Sequence, residues 1–152
     1  MGWVTDNSAV RLDDVRDSLH SQSFMSLIGA EATAIDPGRV VIEMPYRADL
    51  CQQNGFVHAG VIASIGDSAC GYAALTLMPD DSDVLSVEFK VNLLAPARGD
   101  RFRATADVVR PGRTLTVVQA QVLAITEGQP DALVAMMQAT MIRRPRDSPT
   151  GT

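Results

Sequence analysis

Gln52-Gln53-Asn54-Gly55-Phe56-Val57-His58-Ala59-Gly60 leads into the longest helical pattern of the chain, Ala59 to Leu77. A histidine and two small residues stand where that helix should begin. The free N–H groups of a helix start attract negative charge. Nine positions after His58, Asp67 falls among small and apolar neighbours, a costly place for a carboxylate without a task or a partner. An anion cradle and an attacking group are the parts a site needs to split an acyl bond. Val61, Ile62, Ile65, Ala69, Tyr72 and Leu75 form a broad apolar face, while Gly66 and Gly71 lie inside the run. Glycine within a helix costs roughly 1 kcal/mol relative to alanine, so their presence predicts something packed very close, such as a sheet wrapped around the helix. Pro79 and the acids Asp80, Asp81 and Asp83 end it.

Outward from this helix the pattern turns to strands. Upstream, Glu31–Ile35 and Arg39–Pro45 read as a hairpin joined by Asp36-Pro37-Gly38, with Val40, Ile42 and Met44 alternating along the second arm. Before it, residues 9–20 carry Val10, Leu12, Val15 and Leu19 near a helical period, and residues 22–28 continue it or turn. Tyr46 to Val57 reads as a loop. Downstream come strands at Val84–Leu94, Arg101–Arg110, Thr114–Thr126 and Ala132–Arg143, each link holding Gly, Pro or both. Short links imply that successive strands pair as antiparallel hairpins. Helix, two strands, long helix, four strands is an α+β order. Met1–Asn7 and Pro145–Thr152 read as loose ends.

The 152 residues and 46% hydrophobic content suit one domain, 1–152, with a core of its own. A net charge of −5 argues against a nucleic-acid binder. Twelve of the 13 basic residues are arginine, and Arg98, Arg101, Arg103, Arg110 and Arg113 share one short segment. That segment is either the solvated rim of a sheet or a local phosphate site, a task to which arginine is suited. Cys51 and Cys70 form no CxxC, and a reduced, cytoplasmic protein is the simpler reading. No apolar run is long enough to span a bilayer, and Met1 to Arg16 lacks the apolar stretch of a secretory signal. No metal and no cofactor are expected.

The order of elements, the His58-Ala59-Gly60 helix entry and Asp67 nine positions on together resemble the hotdog-fold acyl-CoA thioesterases, of the phenylacetate-degradation (PaaI-like) type. That family shows an Asn or Gln, a His-Gly-Gly helix start and an acid nine residues after the His. Here those positions read Gln52, His58-Ala59-Gly60 and Asp67. Leu85-Ser86-Val87-Glu88-Phe89-Lys90-Val91-Asn92 looks like the family's third strand, and Arg110-Pro111-Gly112-Arg113-Thr114 like its next hairpin. The resemblance covers roughly residues 25–143. It implies an antiparallel sheet around a long central helix, hydrolysis of an acyl-CoA thioester, and a homodimer, often a dimer of dimers. It also implies that Ser86 faces the site and helps Asp67 place water. Ala59 departs from the usual first Gly; a backbone donor survives the change, and the pocket tightens by one methyl.

Each residue also has a plain reading. His58 is a half-exposed loop histidine or steers the thioester carbonyl. Asp67 is a buried cap or ion-pair partner, or the base or nucleophile; no Lys or Arg lies between His58 and Leu77 to pair with it. Gln52 and Asn54 are loop formers or hold the attacking water. Cys51 and Cys70 are weak nucleophile candidates, since neither has a histidine in a matching motif. Arg110, Gly112, Arg113 and Thr114 are the candidates for the CoA phosphates. Eight residues separate Ala59 from Asp67, about 12 Å along a helix axis at 1.5 Å per residue. One thioester carbon must sit about 3 Å from both donor and attacking group. A single helix cannot supply both, so the expected site is shared, with the helix of a second chain running antiparallel. A hydratase on the same fold and a non-catalytic acyl-CoA-binding module are the alternatives; aryl-acyl and medium-chain acyl groups both fit the expectation.

Overall fold

The computed structural model describes residues 8–147. Two helices, α1 (Ser8–Ser21) and α2 (Ser23–Ile28), precede strands β1 (Glu31–Asp36) and β2 (Arg39–Pro45). A short turn of 3-10 helix, Ala48–Leu50, leads to α3 (Ala59–Leu75), and β3 (Ser82–Leu93), β4 (Arg101–Arg110), β5 (Leu115–Ile125) and β6 (Ala132–Pro145) follow. All six strands form one antiparallel sheet in the order β1-β2-β4-β5-β6-β3. This is the hotdog arrangement, with α3 on one face of the sheet.

The packing follows from side-chain size. Ile62, Ile65, Ala69 and Ala73 of α3 are buried against Phe102, Ala104 and Ala106 of β4, Val118, Ala120 and Val122 of β5, and Ala139 and Met141 of β6. Alanines on the inner face of the strands let the helix approach closely. At Gly66 an added Cβ would lie 3.3 Å from the Met137 methyl, so the close-packing expectation holds there. At Gly71 it would meet Val84 only at 3.9 Å, ordinary contact, and close approach does not account for that glycine.

The β1–β2 hairpin turns at Asp36-Pro37-Gly38, where Gly38 takes φ 77, the left-handed conformation glycine allows. The β4–β5 hairpin turns at Pro111-Gly112-Arg113, and a Cβ on Gly112 would lie 2.0 Å from the Leu115 carbonyl oxygen. The expectation that every successive pair forms a hairpin fails once. β3 pairs with β6 and stands at the sheet edge, whereas β4 pairs with β2 and β5. The link Leu94–Asp100 therefore passes two strands. Three strand spacings are about 14 Å, and seven extended residues reach about 23 Å, so a short link is long enough to cross. Pro145 pairs with Ser82 at the end of β6, so the strand outlasts the loose end expected from Pro145. The expectations for residues 1–7 and 148–152 lie outside the described residues. Among the described residues no helix is long and apolar enough to cross a membrane.

Candidate active site

His58 is the N-cap of α3: its Nδ1 accepts the Gly60 N–H at 2.8 Å. A ring nitrogen that accepts carries no proton, so in the neutral ring the proton sits on Nε2, which remains a donor. The bond also explains Gly60, because a Cβ there would lie 3.0 Å from the same Nδ1. The carbonyl oxygen of His58 takes the N–H groups of Val61 at 2.9 Å and Ile62 at 3.3 Å. The Ala59 N–H donates to no atom of the described residues. Of the two amides expected to serve an oxyanion, Gly60 is thus engaged by its own cap and Ala59 is free.

The loop before the cap is tied down by its own bonds. Gln52 donates its N–H to the Phe56 carbonyl at 2.9 Å, and its side-chain oxygen accepts the Asn54 N–H. The Val57 N–H reaches the Ala97 carbonyl at 3.1 Å, docking the loop onto the β3–β4 link. Gln52 accordingly spends its side-chain oxygen within the loop, and Asn54 is exposed at the turn.

Asp67, eight residues along α3, does have a partner. Ser86 of β3 donates its hydroxyl to Oδ1 at 2.6 Å. Position 87 is a β-bulge: Ser86 pairs with Met141 and Glu88 with Thr140, leaving Val87 unpaired. Bulges of this kind re-aim side chains beside functional sites. Cys70, one turn from Asp67, is fully buried, and burial first, then the Asp67 charge, pushes its thiol up to about 12. A thiol so held is protonated at neutral pH and is no nucleophile.

A cavity of about 410 Å³ opens beside the helix start, lined by Phe56, Ala59, Ile62, Leu93, Pro96 and Val134 among others. Its walls are mainly apolar, and Ala59 is one of the residues that line it. A larger hollow of about 730 Å³ lies on the opposite face of the sheet, lined by Lys90, Gln119, Gln121 and Gln138 among others. None of the residues expected at the site lines that hollow.

Arg110, Gly112, Arg113 and Thr114 sit exposed at the β4–β5 turn. Arg101, at the other end of β4, is nine residues from Arg110, about 30 Å at strand rise. Within one chain these four are therefore not brought to the Ala59 cavity, and Gly112 is accounted for by the turn it closes. Sequence reasoning missed Arg11, whose buried guanidinium donates to the Leu75 carbonyl at 3.1 Å and the Asp80 carbonyl at 3.4 Å, capping the C-terminal end of the site helix.

Comparison with known proteins agrees with this fold. The family model described as Thioesterase superfamily matches residues 54–130. A thioesterase family protein from Silicibacter pomeroyi is 48% identical, with a TM-score of 0.85 over 88% of this chain and 97% of its own. A protein of Saccharolobus solfataricus named as an esterase is 36% identical over 87 residues, 57% of this chain and 61% of that protein. The 1,4-dihydroxy-2-naphthoyl-CoA hydrolase of Listeria monocytogenes is 25% identical over 100 residues, 66% of this chain and 81% of that enzyme.

Proposed function

The chain belongs to the thioesterase superfamily, and from that premise we propose that it hydrolyses acyl-CoA thioesters with an aryl or medium-chain acyl group, in a site built by two copies of the chain. The observation that carries the reading is the combination of Ala59, a cavity-lining residue whose amide is free, with an Asp67 already held by Ser86. The thioester carbonyl points at the Ala59 N–H, where the helix dipole favours the developing oxyanion. The Nε2–H of His58 steers the same oxygen. Asp67 activates water or attacks the carbon directly, and Ser86 fixes the carboxylate so that its other oxygen faces the reaction. Asn54 at the turn, or Gln52, completes the placement of water.

Ala59 and Asp67 of one helix are about 12 Å apart along the axis, so the Asp67 that serves an Ala59 comes from a second subunit. β3 supports this. It is an edge strand of 12 residues whose outer edge pairs with nothing in the described residues, and it exposes Leu85, Val87, Phe89 and Leu93. A long apolar edge strand is a template for pairing with another chain. A two-fold pairing there runs the two site helices antiparallel and makes two equal sites. The apolar cavity supports an aryl or alkyl group, and the naphthoyl-CoA hydrolase relative supports the CoA carrier and an aryl acid.

The test is thiol release from a panel of aryl-, short- and medium-chain acyl-CoAs, with hydration of crotonyl-CoA followed in parallel. Release without hydration is expected, fastest on aryl or medium-chain substrates. Tight binding of acyl-CoA with neither reaction would replace the hydrolase by a binding module, and hydration would replace it by a hydratase.

A further inference from the structure

We propose that Arg98 is an anion-binding residue at the mouth of the apolar cavity beside Ala59, and that it takes a phosphate of the CoA carrier. The inference rests on the reading of the substrate as a CoA thioester. The five clustered arginines are sorted by the fold. Arg101 and Arg103 are drawn to Glu43 across the strand pair, at 3.5 and 2.6 Å, and Arg103 also reaches Asp131 at 3.8 Å. Arg110 and Arg113 stand at the far end of β4. Arg98 is left: it is exposed and makes no ion pair among the described residues.

Its position is set by three contacts. The guanidinium carbon lies 5.2 Å from the centre of the Phe56 ring, which lines the cavity. The preceding carbonyl, Ala97, accepts the Val57 N–H at 3.1 Å, one residue before the His58 cap. The Arg98 N–H donates to Pro96 at 2.9 Å. A cation held over an aromatic face is restrained near the cavity while its N–H groups stay open to two oxygens of a phosphate. An apolar acyl group has no use for a cation here. A polyanionic carrier approaching a chain of net charge −5 does.

The experiment is calorimetric titration of CoA, and of pantetheine as the same arm without phosphates, into the wild type, Arg98→Ala and Arg98→Lys, with a melt to check each fold. The Kd for CoA should rise about tenfold in Arg98→Ala, the loss of one charge-assisted contact, and less in Arg98→Lys. Pantetheine should bind all three alike, and added salt should weaken CoA binding to the wild type more than to Arg98→Ala. An unchanged CoA Kd in Arg98→Ala overturns the assignment. So does an equal loss for pantetheine, or a wild type that binds CoA no better than pantetheine. Thiol release reports separately on the reaction: hydrolysis without the CoA effect removes Arg98 alone, and the CoA effect without hydrolysis removes the reaction alone.

Discussion

At the scale of single residues, the Ala59 amide offers an unusually clean test. Ala59 is the first helical residue, where proline fits because the N–H has no helical acceptor. His58 has φ −58 and ψ 136, the extended conformation a residue before proline prefers. Ala59→Pro should therefore fold as well as the wild type and remove little but the donor. Its kcat should drop by a factor of about 10² to 10³, read by thiol release on the best acyl-CoA; wild-type turnover would move the oxyanion elsewhere. Asp67→Asn should keep its fold and lose about 10² to 10⁴ in kcat, the usual worth of a positioned base. Cys70 gives a pH signature. Its folded pKa stands near 12 against an ordinary 9.0, so the unfolded chain releases the proton first. Stability from this group is whole below pH 9 and is lost between about 9 and about 12, at no more than about 1.4 kcal/mol per pH unit. Melting temperatures of the wild type should therefore fall more steeply above pH 9 than those of Cys70→Ala, and parallel curves would contradict the burial of the thiol. What the sequence showed at this scale was chemistry without partners. His58 and Asp67 stand out because polar groups in a small, apolar helix are rare, whereas a serine in a strand carries no local signal. Ser86 was reachable only through family resemblance, because its aim at Asp67 depends on the bulge at Val87.

At the scale of elements, the long helix and the two tight hairpins were readable because their signals are local: small-residue spacing for α3, Asp-Pro-Gly and Pro-Gly-Arg at the turns. The strand order was not. Turn residues say where a strand stops, not which neighbour it takes, and β3 finds β6 across the sheet from the strand that follows it. The same limit hid Arg11, whose partners lie 64 and 69 residues away. This side chain couples α1 to the C-terminal end of α3. Burial lowers the Arg11 pKa, opposed by the Asp80 charge, and its Nε has no partner. That orphaned atom offsets part of the gain from the two carbonyl bonds. Arg11→Met should cost about 1 to 3 kcal/mol, a fall in Tm of roughly 2 to 12 °C for a chain of this size. It should leave KM unchanged, since nothing at the helix start moves. A Tm equal to wild type would show that α1 docks without this cap.

At the scale of the whole molecule, the claim is that neither end of the site helix is an active site alone. Disrupting the free edge of β3, as in Val87→Lys, should convert the assembly to single chains by light scattering and abolish thiol release together. The sharper test joins two inactive chains. Ala59→Pro retains Asp67, and Asp67→Asn retains the Ala59 amide. If each centre takes its amide from one subunit and its carboxylate from the other, a heterodimer of the two variants contains one intact site and one doubly damaged site. Random mixing makes half of the dimers heterodimers, so refolding the variants together in equal amounts should restore about a quarter of wild-type turnover. Each variant refolded alone should stay near background. A mixture no more active than the mean of its parents would place amide and carboxylate in the same chain, against the 1.5 Å rise that separates them by about 12 Å along α3.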